Sequence, residues 1–142
     1  MCIKDSPSPE FVSQDAVLSI HSYLIERFGG SPGLRDEGLL DSALSQPQQS
    51  FFGELLHPTI YEQAAAYLYH LAKNHAFIDG NKRVALATTI TFLKMNGYRL
   101  CLPKQEVETL VLEVVAGELD KQELASIFEA YILPDSSNQT TK

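Results

Sequence analysis

The 142-residue chain has no tryptophan and only two cysteines, Cys2 and Cys101. Two thiols so far apart make no disulfide framework, and a reducing cytoplasm is the expectation. The opening Met1-Cys2-Ile3-Lys4-Asp5 lacks a cationic stretch followed by an apolar run, so no secretory signal is read there. No apolar run approaches the length of a membrane span. Cations are scarce as well: Lys plus Arg number 11 against 18 Asp plus Glu, a net charge of −7. A broad nucleic-acid face is therefore excluded, because neutralising phosphates takes a cationic surface. A small local cationic pocket remains compatible with this balance, and an acidic protein can dock a basic protein partner.

What is present is an ordinary apolar fraction, 44 % of residues, in a length that suits one domain. Ser6, Pro7, Ser8 and Pro9 mark residues 1–12 as an extended lead-in, and residues 134–142 read as a disordered tail. The domain between them, 13–133, has no internal repeat and reads as all-α, with about six helices. Ser13 caps a helix over 13–28 that Gly29-Gly30 stops, and Asp36 caps a short one over 36–45. Thr59 with Glu62 forms a capping-box pattern for a helix over 59–74, whose alanines and leucines make it central. A further helix runs from Gly80–Asn81 to about Met95. Pro103 fits the first turn of one over 103–116, and Asp120 with Glu123 opens the last, ending at Tyr131. Residues 46–58, with Pro47, Gly53, Pro58 and the exposed-looking Phe51 and Phe52, form a loop or small hairpin, a candidate flap.

Chemistry concentrates in His75-Ala-Phe-Ile-Asp-Gly-Asn-Lys-Arg-Val-Ala85. His75 falls where a helix gives way to a loop. It is either a helix-end group acting on the dipole or a general base, since free imidazole titrates near neutrality. Gly80 and Asn81 precede a long apolar helix, whose first N–H groups lack internal partners and favour an anion. Lys82 and Arg83 in that first turn oppose the dipole unless something negative sits there. Asp79 suits either Mg²⁺ beside a phosphate or an Asx turn. Asn81 either orients an oxygen or caps the helix. Phe77 reads as a buried anchor, and Ile78 as a packing residue. The GxxxxGK spacing of a Walker A loop is absent.

This loop resembles the central motif of the Fic/Doc superfamily, His-Pro-Phe-x-Asp/Glu-Gly-Asn-x-Arg, and its Asp-Gly-Asn-Lys-Arg ending is most similar to the Doc (death on curing) toxin branch. The likeness extends over about residues 13–131. Ile20-His21 with Gly29-Gly30 is similar to the first helix and turn. Gly33-Leu34-Arg35-Asp36 with Leu39-Leu40-Asp41-Ser42-Ala43-Leu44 resembles the second segment. Ala64-Ala65 leading to Leu71-Ala72-Lys73-Asn74-His75 and Phe92-Leu93 with Asn96-Gly97-Tyr98 match the flanks of the motif.

The resemblance implies a Fic/Doc-like helical fold and transfer of part of ATP to a protein hydroxyl. For the Doc branch it implies transfer of the γ-phosphate to a threonine of elongation factor Tu, which stops translation. Carried onto this chain, His75 is the general base and Asp79 the Mg²⁺ ligand. Gly80, Asn81 and Lys82 make the anion cradle, Arg83 binds phosphate, and Phe77 anchors the loop. The flap would hold the target by strand-like backbone pairing. Lys82 stands where AMP-transferring members carry Gly, and Leu86 where they carry a second Arg, which argues against AMP transfer. Gly80, where Doc often has Ala, Ala76 for Pro and Val84 for Thr make the motif a mixed one. No Ser/Thr-x-x-x-Glu-Gly/Asn inhibitory match occurs, since Glu37-Gly38 has Gly33 at the hydroxyl position. A separate antitoxin is the implied control.

Two alternatives stay open on sequence: transfer of AMP, and a degenerate member that binds nucleotide or protein. The sequence leaves the oligomeric state open. His21 reads as structural, packing on the loop or satisfying a carbonyl, and His57 and His70 as structural or surface groups.

Overall fold

The computed structural model describes residues 9–135. Six α-helices carry most of this stretch: α1 (Gln14–Phe28), α2 (Glu37–Ser45), α3 (Ile60–Asn74), α4 (Asn81–Met95), α5 (Lys104–Ala116) and α6 (Lys121–Tyr131). Each expected side-chain cap is in place. Ser13 accepts from the Ala16 N–H, Asp36 from Leu39, Thr59 from Glu62 and Asp120 from Glu123; the last two complete reciprocal capping boxes.

α3 is the centre, packed by α2, α4, α5 and α6. Its small residues Ala64, Ala65, Ala66 and Ala72 are fully buried and let neighbouring backbones come close, while Tyr67, Leu68 and Leu71 fill the space between. α4 answers with Val84, Ala85, Phe92 and Leu93, and α6 with Leu124 and Phe128. Each large side chain so enclosed stabilises the fold by about 1.5–3 kcal/mol. The tilted Tyr67 and Phe92 rings meet with centroids 4.9 Å apart. Burial pushes the Tyr67 phenol up to about 12, and its oxygen accepts the Val12 N–H at 2.8 Å. The described part of the lead-in is thereby fastened to the core. Phe11 stacks on Phe92, and Glu10 exchanges two hydrogen bonds with the Asn96 amide.

Residues 46–58 contain a short hairpin, β1 (Ser50–Phe51) paired antiparallel with β2 (Glu54–Leu55) after a 3-10 turn at Gln46–Gln48. Its two-residue turn, Phe52-Gly53, has positive φ at both positions, 52° and 82°, which suits the twist of a tight hairpin.

Two expectations are corrected. Order does not stop before Pro134. Tyr98–Leu100 (β3) pairs with Ile132–Pro134 (β4), and the Asp135 N–H reaches the Gly97 carbonyl, so the end of α6 is tied to the turn after α4. The rest of the expected tail, 136–142, and residues 1–8 lie outside the described residues. Pro103 stands one residue before α5 rather than inside it. Its ψ of 148° is extended, and its carbonyl receives the Glu106 and Val107 N–H groups that open the helix. No described helix is long and apolar enough to cross a membrane.

Candidate active site at the start of α4

Residues 75–80 turn the chain from α3 into α4. α3 ends at His75, which adopts the left-handed conformation, φ 53° and ψ 50°. A non-glycine residue pays about 1–3 kcal/mol for a sparsely populated region and stays there only when its surroundings hold it. Here they do. Arg35 donates from Nε to the His75 carbonyl at 2.8 Å and from a terminal nitrogen to the Asn74 carbonyl at 3.5 Å. The Arg35 and Asp36 N–H groups both donate to the Ala76 carbonyl, and Ile78 N–H donates to Gly33. The segment between α1 and α2 thus runs as a short ladder along the loop, with Leu34 opposite Phe77. The His75 side chain is left exposed to solvent.

Phe77 is the anchor expected of it, buried beneath the loop. His21 of α1 stacks on its ring, with centroids 3.9 Å apart. The His21 Nε2 lies 2.7 Å from the Asp79 carbonyl. A carbonyl only accepts, so that nitrogen carries the proton. His21 therefore does both things read for it: it packs on the loop and satisfies a carbonyl. Asn81 holds the loop from the other side. Its amide oxygen accepts from the Phe77 N–H at 3.0 Å and its amide nitrogen donates to the Phe77 carbonyl at 2.9 Å. With the side chain so engaged, any help Asn81 gives an anion comes from its backbone N–H.

Asp79 is exposed, and its carboxylate receives Ser31 N–H at 3.1 Å and Gly80 N–H at 2.8 Å, one on each oxygen. The Ser31 bond, then the Gly80 bond, and more weakly the Arg83 charge hold its carboxyl below the usual range. The local turn and the metal-ligand reading are compatible, since each carboxylate oxygen keeps a further lone pair. Among the described residues no three acidic, His or Cys side chains converge on a metal position. One ionised carboxylate beside phosphates is nonetheless the donor set Mg²⁺ commonly takes. Gly30 has to be glycine for this contact: at φ 120°, an added Cβ would lie 2.8 Å from the Asp79 carboxylate.

α4 is preceded by Gly80, itself left-handed at φ 80°, and no side chain caps the helix. Its first N–H groups stay available. Lys82 and Arg83 stand exposed in that first turn, and the helix has no acidic residue there. The Arg83 guanidinium sits over the Phe28 ring at 4.9 Å from its centroid. Sequence reasoning found the loop residues but missed Phe28 and the bracing by Arg35, since neither announces its partner across the chain.

The arrangement combines an exposed imidazole, an ionised carboxylate, free helix amides and two cations on one braced loop. That is the equipment for holding a phosphate chain beside a hydroxyl. The Fic/DOC family model matches residues 11–93, which span α1 through most of α4. A protein named Toxin Doc from Mycolicibacterium smegmatis is 39 % identical over 119 residues, covering 82 % of this chain and 89 % of that protein. Protein kinase doc from Escherichia phage P1 is 30 % identical over 114 residues, covering 80 % and 89 %. Loop, helices and relatives agree: the chain belongs to the Fic/DOC family and is a nucleotide-dependent transferase.

Proposed function

We propose that the protein is a Doc-type toxin kinase. It moves the γ-phosphoryl group of ATP onto a hydroxyl of a protein target in the cytoplasm, a threonine of elongation factor Tu being the first candidate, and so inhibits translation. The observation that carries this reading is the uncapped N-terminus of α4, with two exposed cations in its first turn and a braced loop before it. The names of the two relatives, a toxin and a protein kinase, support it.

His75 takes the proton from the target hydroxyl, whose oxygen attacks the γ-phosphorus. The bond from that phosphorus to the bridging oxygen breaks, and ADP leaves with the electron pair. The free amides of Asn81 to Arg83 and the Lys82 and Arg83 side chains stabilise the charge on the transferring group. Asp79 would hold Mg²⁺, which supplies charge neutralisation and orientation of the phosphates. Phe77, His21 and Asn81 keep the loop in register. The hairpin offers strand edges for pairing with the target backbone. We infer a separate antitoxin as the control, because the chain has no internal inhibitory match; co-expression with it should suppress target labelling.

The test is the intact mass of elongation factor Tu after incubation with the protein, ATP and Mg²⁺, beside a His75→Ala control. A gain of about 80 Da, one phosphoryl group, that disappears in the control is the expected result. A gain of about 329 Da, one AMP group, would replace phosphoryl transfer with AMP transfer. No gain would remove the factor as target. If ATP then still stabilised the fold without any labelled protein, the chain would be a nucleotide-binding member only.

A further inference from the structure

A second cluster of basic groups lies away from the loop, where the chain leaving the hairpin meets α3 and α6. Lys121, half-buried in the first turn of α6, places its Nζ 3.1 Å from the Nε2 of His70 on α3. It also lines an open cleft of about 170 Å³ with His57, Glu62, Gln122 and Ala125. Its charge has no counter-ion: among the described residues no carboxylate forms an ion pair with it. Glu62, on the cleft wall, has its Oε1 held by the Thr59 N–H and hydroxyl, and Asp120 and Glu123 are engaged in their own capping box. The helix dipole disfavours a cation at this end as well. Burial holds the ammonium below the usual lysine range. The two rings stay uncharged beside it. Burial, then the Lys121 charge, lowers both His70, to about 4, and His57, for which Glu62 and the Gln46 backbone pull the other way.

A lysine so placed releases its proton more readily than one in water, and the resulting amine is a nucleophile. His70 holds one N–H and so fixes the nitrogen, while the cleft is the open side from which an electrophile can approach. We propose that Lys121, paired with His70, is a site of covalent acylation by a small acyl phosphate. The Nζ lone pair attacks the carbonyl carbon and a C–N bond forms. The bond from that carbon to the phosphate oxygen breaks, inorganic phosphate leaves with the electron pair, and the proton lost by nitrogen passes to it through water. The short chamber suits a small acyl group, and the His57 ring and Gln122 amide offer N–H donors to the departing phosphate. The product amide is uncharged and keeps an N–H for His70. Acylation therefore removes the uncompensated charge without breaking the hydrogen bond.

The test incubates the full chain with acetyl phosphate at pH 7 and at pH 9 and follows each lysine by peptide mass spectrometry. Lys94 and Lys104 are the comparators, both exposed and both outside the anion site to which Lys82 belongs. At pH 7 Lys121 should react at least about threefold faster than either, although exposure alone would rank it last. The lead should shrink at pH 9, where the exposed lysines also begin to release protons. His70→Phe keeps a ring but removes the acceptor, and should slow Lys121 by about threefold with Lys94 and Lys104 unchanged. A Lys121 no faster than the comparators at pH 7 would overturn the site, and so would a lead that does not change with pH. An unchanged Lys121 rate in His70→Phe would overturn the pairing. The pH comparison needs no variant, so it decides the matter even if His70→Phe does not fold. No arm of the test depends on phosphoryl transfer.

Discussion

α4 and α6 both carry a lysine in the first turn, yet their N-termini are built in opposite ways. α6 is closed: the Asp120 carboxylate accepts the Glu123 N–H, the Glu123 carboxylate accepts the Asp120 N–H in return, and Lys121, half-buried, donates to the His70 ring at 3.1 Å. α4 is open: Gly80 offers no side chain, no acidic residue lies in the first turn, and Lys82 and Arg83 face solvent. In α6 the protein supplies its own negative charge, so the end serves structure. Before α4 the negative charge at hand is Asp79, whose carboxylate already takes the Ser31 and Gly80 N–H groups, so the first-turn N–H groups and cations remain for an anion from outside. A cation at a helix start is therefore informative only together with what caps that helix.

The largest expected effect breaks this contrast at its charged end. Arg83→Ala should lower phosphoryl transfer by about 10²–10³-fold, the usual loss for one donor facing transition-state charge. Lys121→Ala should leave single-turnover transfer unchanged. Similar losses from both substitutions would mean that net charge, not the open helix end, sets the rate.

The bracing of the open end comes next. Asn81→Ala removes both hydrogen bonds to the Phe77 backbone and leaves two part-buried groups without partners. The expected cost is about 2–4 kcal/mol in denaturant unfolding, at about 1–2 kcal/mol for each stranded group. Loss of transfer out of proportion to loss of folded protein would add that the loop conformation itself matters to the reaction. A variant as stable as the parent would show that α3 and the Arg35 ladder hold the loop alone.

The closed end has a pH signature. Burial, then the charge of Lys121, then that of His57 pull the His70 ring down to about 4. An unfolded His titrates near 6.5, so the folded state resists a proton that the unfolded state accepts. The associated stability is fully present above pH 6.5 and is lost as pH falls through that value toward 4. After discounting for the water the ring still meets, the loss is of order 1 kcal/mol. Thermal unfolding of the parent and His70→Gln between pH 7 and pH 4.5 measures it. Parallel curves for the two proteins would count against the depressed ring.

The contrast between the two helix ends was half legible in the sequence. Ser13, Asp36, Thr59-Glu62 and Asp120-Glu123 announced four helix starts because capping acts over three residues. The loop from His75 to Arg83 could be read as one candidate site because its groups are contiguous. What stayed hidden depends on pairing across the fold. β3 and β4 are three residues each, too short to carry a period, and exist because α6 delivers Ile132–Pro134 alongside Tyr98–Leu100. The Asn81 amide looked equally suited to an oxygen or a cap, and only the loop geometry shows it on Phe77. The partners of Arg35 and Phe28 stayed hidden, because nothing local tells that one reaches His75 and the other Arg83.

Phe28 sharpens the comparison with the smallest expected effect. It is the last residue of α1 and 52 % exposed, an unfavourable place for an aromatic ring unless the ring has a task. Its face carries the Arg83 guanidinium, with Arg27 at a longer 5.8 Å. Among the described residues Lys82 has no such ring beneath it, so the two cations of the open end are held differently. An exposed cation–π contact is worth about 0.5–1 kcal/mol, or roughly two- to fivefold in an equilibrium. Phe28→Ala should therefore weaken ATP binding by about that factor, with kcat changed less than KM. Phe28→Tyr should restore binding, since it keeps the ring face, and Phe28→Leu should not, although it keeps apolar bulk. If leucine served as well as tyrosine, the ring would be only a spacer, and Arg83 would be as loosely held as Lys82.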